Sequence, residues 1–398
     1  MKVICDRSAL LSAVNAVAAV VPGRSVQQQL SGLKIVASKT GGAGELVISG
    51  TDAETSLQLA FTQVDVAQPG TVVVSADKLR QIVAAVDNEP TITLEVDGDI
   101  CHIKGSRSRF KIFAYPPDSY PGLPEMPAQL GTGPGTARSV FTQTAGAMLH
   151  LINRTVFATA KETSRYAING VLMKRDAKKL EMVATDGRRL ALARAALKSA
   201  SGGEGGPTSC IVPTKVLNFF ARLAANPEEQ VRVAVTDNRV FFAFEEGGEN
   251  KKGETRPRAV LSSAVVEGAF PPYEDVIPKD QDKKVTADRT ELLAGFRESA
   301  ILTNEESRGV RLSFTGKEKR MRLTSRAPEM GESEIDVNLA AYEGDDVEIS
   351  FNPHFIADAL KAIDDPEVLI EMKAPNKPGV LRCGTDFLYV VMPVTMQN

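Results

Sequence analysis

Apolar side chains at Leu10, Val14, Val17 and Val21 recur at the three-to-four spacing of one helix face, which predicts a helix over Ser8 to Val21. A second helix is predicted over Asp77 to Val86, directly after the β-branched run V-V-V at Val72. Between and after them the period changes to two. Ile92, Leu94 and Val96 alternate with polar residues, the pattern of a strand with one packed and one wet face. Further strands are predicted over Leu33 to Ala37, Glu45 to Ser49, Ser56 to Thr62, Thr91 to Val96 and Ile100 to Lys104. Two helices with mainly antiparallel strands make an α+β layer.

The pattern is then repeated. V-I-C-D-R-S-A-L-L (Val3 to Leu11) returns almost letter for letter as V-T-A-D-R-T-E-L-L (Val285 to Leu293), with a looser F-T-Q-T-A-G-A-M-L from Phe141 to Leu149. A strand flows into a helix at V-V-V-S-A-D-K-L (Val72), C-I-V-P-T-K-V-L (Cys210) and I-S-F-N-P-H-F-I (Ile349). This makes Ser75, Pro213 and Asn352 equivalent, with Thr51, Thr185 and Thr324 as a third anchor between the other two. The anchors recur roughly 140 residues apart, the size of an ordinary domain and longer than any solenoid repeat. Three similar domains follow, 1–127, 137–268 and 279–398. Each is expected to pack two helices on antiparallel sheets.

The links between copies are rich in proline: Tyr115 to Pro127 and Phe270 to Pro278. Proline fixes φ, so these read as stiff connectors. Ser199 to Gly206 and Glu245 to Glu254 are glycine-rich and charged, and read as mobile surface loops without chemistry.

A chain of 398 residues with 43% hydrophobic residues and no transmembrane run can bury sizeable cores. Cys5, Cys101, Cys210 and Cys383 lie far apart without a C-x-x-C, which argues against a disulfide framework or a zinc site and for a reducing cytosol. The apolar stretch Ala9 to Val21 could pass for a signal peptide. Asp6 and Arg7 before it, its helical spacing and its internal recurrence make it the first helix of a mature cytoplasmic protein instead.

Net charge gives no signal for a polyanion, with 47 Lys and Arg against 50 Asp and Glu. Its distribution does. Lys78, Arg80, Arg154, Lys161, Lys215, Arg222, Arg289, Arg297 and Lys361 fall in the expected helices, against Asp77, Glu291, Glu298 and Asp358. A basic helical layer on an acidic chain is a footprint for a polyanion held without base readout, although helices also carry solvated lysines.

The densest motif is V-A-T-D-G-R-R-L-A-L, Val183 to Leu192, in which Asp-Gly suits a type I′ hairpin turn. Its core A-T-D-G-R-R-L-A resembles the signature of the bacterial β sliding clamp family, the processivity subunit of the replicative DNA polymerase. S-R-S-R-F (Ser106), R-Y-A-I-N-G (Arg165), F-P-P-Y-E-D-V-I-P (Phe270), N-E-E-S-R-G-V-R-L (Asn304) and Y-V-V-M-P-V (Tyr389) resemble family segments in the same order along the whole chain.

The resemblance implies a head-to-tail homodimeric ring of six similar domains around double-stranded DNA, with helices inside and sheets outside. It implies no catalysis, cofactor, metal site or membrane contact. Its DNA contacts would be weak and without sequence specificity, so that the ring can slide. The DNA-facing residues would be Arg24, Lys78, Arg80, Arg154, Tyr166, Lys215, Arg222, Arg297 and Lys361. Ala167 departs from the second aromatic residue many clamps have there.

The resemblance also implies an apolar pocket for short peptides of the replicative DNA polymerase, the clamp loader and other clamp-binding proteins. Its lining would be Ile168, Thr185, Gly187, Arg188, Arg189, Leu190, Pro271, Val276, Val390, Val391, Met392, Pro393 and Val394. The terminal V-T-M-Q-N lacks the family's basic residue. Ring closure would set Arg107, Arg109, Phe110 and Ile112 against Ile301, Leu302, Glu329, Glu332 and Glu334.

Two rivals remain at the level of sequence. An enzyme lacks apparatus, because His102, His150 and His354 fall in different copies and Gly41 to Leu46 has no P-loop lysine. A three-domain protein-binding scaffold, with its basic helices merely solvated, predicts no topological link to DNA.

Overall fold

The computed structural model describes residues 1–40, 43–127, 129–131, 133, 135–162, 166–197, 204–245, 257–303, 309–315, 319–328 and 330–395. Most of both glycine-rich insertions, Arg165, 304–308, Glu329 and 396–398 lie outside the described residues.

Six α-helices occur among the described residues, two in each repeat: α1 Arg7–Ala18, α2 Ala76–Ala85, α3 Ala145–Asn153, α4 Thr214–Leu223, α5 Arg289–Ser299 and α6 Pro353–Lys361. The repeated motif is the start signal of these helices. In D-R-[ST] the aspartate caps its own helix: Asp6 accepts from Ala9 N at 2.8 Å, and Asp288 from Thr290 N at 2.8 Å and Glu291 N at 2.9 Å. The arginine reaches the far end of the second helix. Arg7 donates to Val83 O and Ala84 O at 3.1 and 3.2 Å, and Arg289 donates to Leu360 O at 3.4 Å, where unpaired carbonyls and the negative dipole end favour a cation. Ser75 and Asn352 cap α2 and α6 in turn. The motif thus encodes an antiparallel helix pair, α1 with α2 and α5 with α6.

The first helix stops at Ala18 rather than Val21. Pro22 disfavours the helical region for the residue before it, and the last turn tightens into a Val20 N to Val17 O bond of 3.1 Å. Gly50 allows α1 to sit on the sheet, since a Cβ there would lie 2.7 Å from Val17 and Val21 side-chain carbons.

The described residues divide into two compact units: Met1–Met148 with Lys198–Thr208 and Lys215–Val265, and Leu149–Leu197 with Ser209–Thr214 and Val266–Asn398. The middle repeat contributes strands to both.

In the first unit one antiparallel sheet of 14 strands runs through two repeats. The junction is strand Thr55–Phe61 of the first copy against Pro257–Ala264 of the second, with Leu57 opposite Leu261 and Leu59 opposite Ala259. In the second unit a sheet of nine strands does the same. Arg189–Ala196 of the second copy pairs with Phe387–Val391 of the third, Leu190 opposite Val390 and Leu192 opposite Leu388. Both junctions follow one rule: the strand after the threonine anchor's hairpin pairs with the last strand of the next copy.

Among the described residues, two strands are left without the partner that this rule supplies. Gly331–Asn338, the third-copy counterpart of Thr55–Phe61 and Arg189–Ala196, is the outermost strand of a four-stranded sheet and, among the described residues, pairs only with Arg320–Ala327. Arg109–Tyr115, the last strand of the first copy, pairs along Ile100–Lys104 on one side and meets Gly70–Ser75 only at Ala114 and Tyr115. Sequence pattern alone does not predict this strand or Val64–Gln68. Ile92 and Leu94 are buried as their alternation predicts, Val96 is half-buried, and all four cysteines are buried outside any disulfide. No described helix is long and apolar enough to cross a membrane.

Candidate peptide pocket, nucleic-acid surface and seam

The A-T-D-G-R-R motif folds into a hairpin turn between strands Lys179–Thr185 and Arg189–Ala196. Thr185 Oγ1 donates to Arg189 O at 2.7 Å and accepts from Gly187 N at 3.1 Å. Asp186 Oδ1 accepts from the amides of Arg188 and Arg189 at 2.9 and 3.1 Å. The expected type I′ turn, with two left-handed residues, is corrected. Only Gly187, the first central residue, has positive φ (86°), because Asp186 folds its carboxylate forward onto the turn amides.

The first copy builds the same turn without glycine. Thr51 Oγ1 donates to Thr55 O at 2.8 Å, and Asp52 Oδ1 accepts from Glu54 N and Thr55 N at 3.1 and 2.6 Å. Ala53 occupies the position of Gly187 with φ 80°, a conformation costing a non-glycine residue about 1–3 kcal/mol. In the third copy Thr324 is no turn residue. It pairs with Glu334 in mid-ladder, and the hairpin runs on to Ala327 and Gly331, because Ser325 and Arg326 supply no aspartate cap.

Arg189 is committed inside the second unit. It donates to Asp186 Oδ2 at 2.9 Å, Asp358 Oδ2 at 3.1 Å and Phe157 O at 2.7 Å, and its guanidinium lies 4.4 Å from the Phe355 ring centroid. Its side chain is only 10% exposed. The sequence reading placed it in a pocket wall; here it ties the turn to α6.

The remaining pocket candidates separate into a buried and an exposed set. Leu190, Val390, Val391, Ile168 and Thr185 are buried. Gly187, Arg188, Val276 and Met392 are exposed, with Pro271, Pro393 and Val394 half-buried. The chain end continues the junction ladder, with Met392 N donating to Arg188 O at 2.9 Å and Val394 N to Ser350 O at 2.9 Å. Leu190 and Val390 share one apolar cluster with Leu172, Tyr273 and Leu388, against which Phe270 and Ile277 pack.

Sequence reasoning missed Tyr273, the anchor of the proline-rich link. Its hydroxyl donates to Glu181 at 2.7 Å and accepts from Lys174 Nζ at 2.9 Å, while Arg194 pairs with Glu181 at 2.8 Å. Burial pushes the phenol up to about 12. The Tyr273 hydrogen bond, with Glu274 adding to it, holds Lys174 above its ordinary range against the cost of burial. The signal was an aromatic residue between turn-forming prolines, which reads equally well as a loop residue.

Of the proposed DNA-facing residues, Arg24, Lys78, Arg80, Lys215, Arg222, Arg297 and Lys361 are exposed, and Tyr166 is 43% exposed. Arg154 is a correction. Helix α3 ends at Asn153, so Arg154 lies beyond it, is 5% exposed, pairs with Asp365 at 3.3 Å and covers the Phe387 ring at 5.4 Å. A buried, paired guanidinium is no phosphate contact. Lys161 also lies outside the helix.

Arg109, Phe110 and Ile112 lie on the strand Arg109–Tyr115, ahead of its short contact with Gly70–Ser75 at Ala114 and Tyr115, with Arg107 just before it. Glu332 and Glu334 lie on the edge strand Gly331–Asn338, while Ile301 and Leu302 occupy a short 3-10 turn after α5. Phe113, 80% exposed, lies on the same strand as the first set, and Met330, 64% exposed, stands just before the strand of the second; neither was among the candidates.

Models of the N-terminal, central and C-terminal domains of the DNA polymerase III beta subunit match residues 1–124, 144–272 and 274–395. The beta sliding clamp of Pseudomonas putida is 32% identical over 98% of this chain and 99% of its own length. The chain belongs to the DNA polymerase III beta subunit family. A solved beta subunit from Pseudomonas aeruginosa, bound to griselimycin, superimposes with a TM-score of 0.87 at 30% identity and full coverage of both chains. A sliding clamp from Bacillus subtilis, 24% identical, has the same fold with a TM-score of 0.87 over both full chains. Beta-subunit membership carries the three-domain clamp fold and the sliding-clamp function in DNA replication, that of a non-catalytic processivity factor.

Proposed function

We propose that two copies of this chain close head to tail into a ring around duplex DNA and tether proteins to it. One observation carries the reading. The two junctions within the chain pair the strand after the anchor hairpin with the last strand of the following copy, and among the described residues the members of that series without such a partner are Gly331–Asn338 and Arg109–Tyr115. A second chain supplies both missing partners at once, and a two-fold axis closes the series with no edge left open. Residues 1–127, 137–268 and 279–398 are the repeating domains of that ring.

Exposed cations at Arg24, Lys78, Arg80, Lys215, Arg222, Arg297 and Lys361, with Tyr166, supply weak phosphate attraction. The apolar floor at Leu190 and Val390, rimmed by Val276 and Met392, takes Leu or Phe anchors of peptides from the replicative polymerase, the clamp loader and other clamp-binding proteins. The ring works in the cytoplasm, where DNA is replicated and the four thiols stay reduced.

The test is topological. Labelled protein loaded on nicked circular DNA is retained, and a single cut that linearises the circle releases it. Retention after the cut would mean direct gripping and would overturn the reading.

A further inference from the structure

Lys215, at the start of α4, carries a fixed counter-charge. Its Nζ lies 2.6 Å from Asp52 Oδ2, while Oδ1 of the same carboxylate accepts from the amides of Glu54 and Thr55. The turn is pinned from a third side by Arg239, which donates to Glu54 O at 2.7 Å, and Ala53 takes a left-handed conformation within it. Asp52 is 19% exposed at its side chain and Lys215 53%. One partner is therefore locked to backbone and the other is a half-exposed four-carbon stem whose ammonium also lies 5.8 Å from the Phe219 ring centroid. Arg80 with Asp77 and Lys361 with Asp358 also pair at 3.3 Å, but those carboxylates sit on the same helix as their cations and lack backbone locks.

We infer that Asp52 is a positioning residue that holds the Lys215 ammonium off the phosphate backbone, so that this contact with DNA is made in competition and broken easily. The inference rests on the reading that Lys215 faces DNA. The carboxylate cannot turn away from the lysine without giving up two amide bonds. The lysine can swing, so an approaching phosphate must displace a carboxylate already in place. For a ring that remakes its contacts at each base pair, such competition lowers the friction of sliding without removing the charge that keeps the ring on the duplex.

Asp52→Asn is the discriminating change. The amide oxygen still accepts from Glu54 and Thr55, so the turn survives while the charge facing Lys215 is removed. Full-length rings with one fluorophore, loaded by the ATP-driven loader on stretched duplex DNA blocked at both ends, report a diffusion coefficient. Exposed ion pairs of this kind correspond to about 1.5- to 5-fold in an equilibrium constant.

Asp52→Asn rings should diffuse slower by that factor at low salt, converge with wild type at high salt, and lose the difference in a Lys215→Gln background. Duplex binding should gain roughly one unit of salt slope, as for one added phosphate contact. Equal diffusion of Asp52→Asn and wild-type rings would overturn the inference while wild-type retention on circles keeps the ring reading intact. Faster escape of Asp52→Asn from circles at every salt, with a lowered Tm, would make the pair a structural staple and would also overturn it. Failure of wild type to stay on circular DNA would sink both.

Discussion

Arg189 of the middle repeat lies 4.4 Å from the ring centroid of Phe355 in α6 of the third, with Asp186 and Asp358 closing on the guanidinium from the turn and the helix. A side chain so enclosed stabilises the junction between two repeats. Arg189→Ala should cost about 3 kcal/mol, because two carboxylates and a carbonyl lose their common partner. Arg189→Lys should recover less than half, since an ammonium cannot serve three acceptors and stack on a ring at once. Denaturant unfolding reads both; a loss under about 0.5 kcal/mol for the alanine variant would contradict this account.

Alkali should unfold the protein through its buried phenols and thiols. Burial pushes Tyr120 and Tyr273 up to about 12 from 10.0, Cys5 and Cys383 up to about 12 from 9.0, and Cys101 up to about 11. Each group keeps its proton more tightly folded than unfolded. The stability they contribute is complete below pH 9, falls first as unfolded thiols ionise and then above pH 10 as unfolded phenols do, and is lost by about pH 12. Tyr273→Phe removes one share of that slope. It also leaves Glu181 without its hydroxyl donor, at about 1–3 kcal/mol near neutrality. Urea unfolding from pH 8 to 11 measures the slope, and a flat profile would refute the assignment.

The seam should depend more on Phe113 than on its acids. Phe113 is 80% exposed on an open strand edge. Glu332 and Glu334 already pair with Arg326 and Arg322 of the neighbouring strand at 3.2 and 3.0 Å. Charges balanced within one chain have little left to offer across an interface, whereas a bare aromatic ring has its whole area to bury. Phe113→Ser should raise the dimer dissociation constant about 30-fold or more, and Glu332→Gln about threefold or less. Sedimentation equilibrium ranks the two; the reverse order would show an electrostatic seam.

What could be read from the chain follows what is local. Asp6, Asp288, Ser75 and Asn352 announce helices because capping acts within three residues, and Thr51 and Thr185 announce turns for the same reason. Thr324 has the threonine without the aspartate, so the strand continues through it. Arg154 was misread because its partners, Asp365 and Phe387, come from another repeat, and Arg189 because Asp358 and Phe355 do. Family resemblance proposed the pocket segment, yet only tertiary packing separates Leu190 and Val390, buried in one apolar cluster, from Val276 and Met392, which stand open.

That separation makes the proposed pocket testable without unfolding the protein. Val276 is 52% exposed and Met392 42%, so polar replacements there create no cavity and bury no charge. Leu190 at 2% and Val390 at 3% are held in a shared cluster, and Leu190→Ala should cost about 2–5 kcal/mol of stability in addition to any effect on binding. If the rim receives the apolar anchors of a partner peptide, Val276→Asp and Met392→Asp should each weaken binding by about 10- to 100-fold, because each sets a carboxylate against a leucine or phenylalanine that has just been desolvated. Their Tm should stay within about 2 °C of wild type, since surface changes away from packed features are nearly neutral. Calorimetric titration with a polymerase-derived clamp-binding peptide, beside thermal unfolding of the same samples, decides it. Unchanged affinity in both rim variants would move the peptide site away from Leu190 and Val390, and loss of affinity accompanied by a fall in Tm would return Val276 and Met392 to the core.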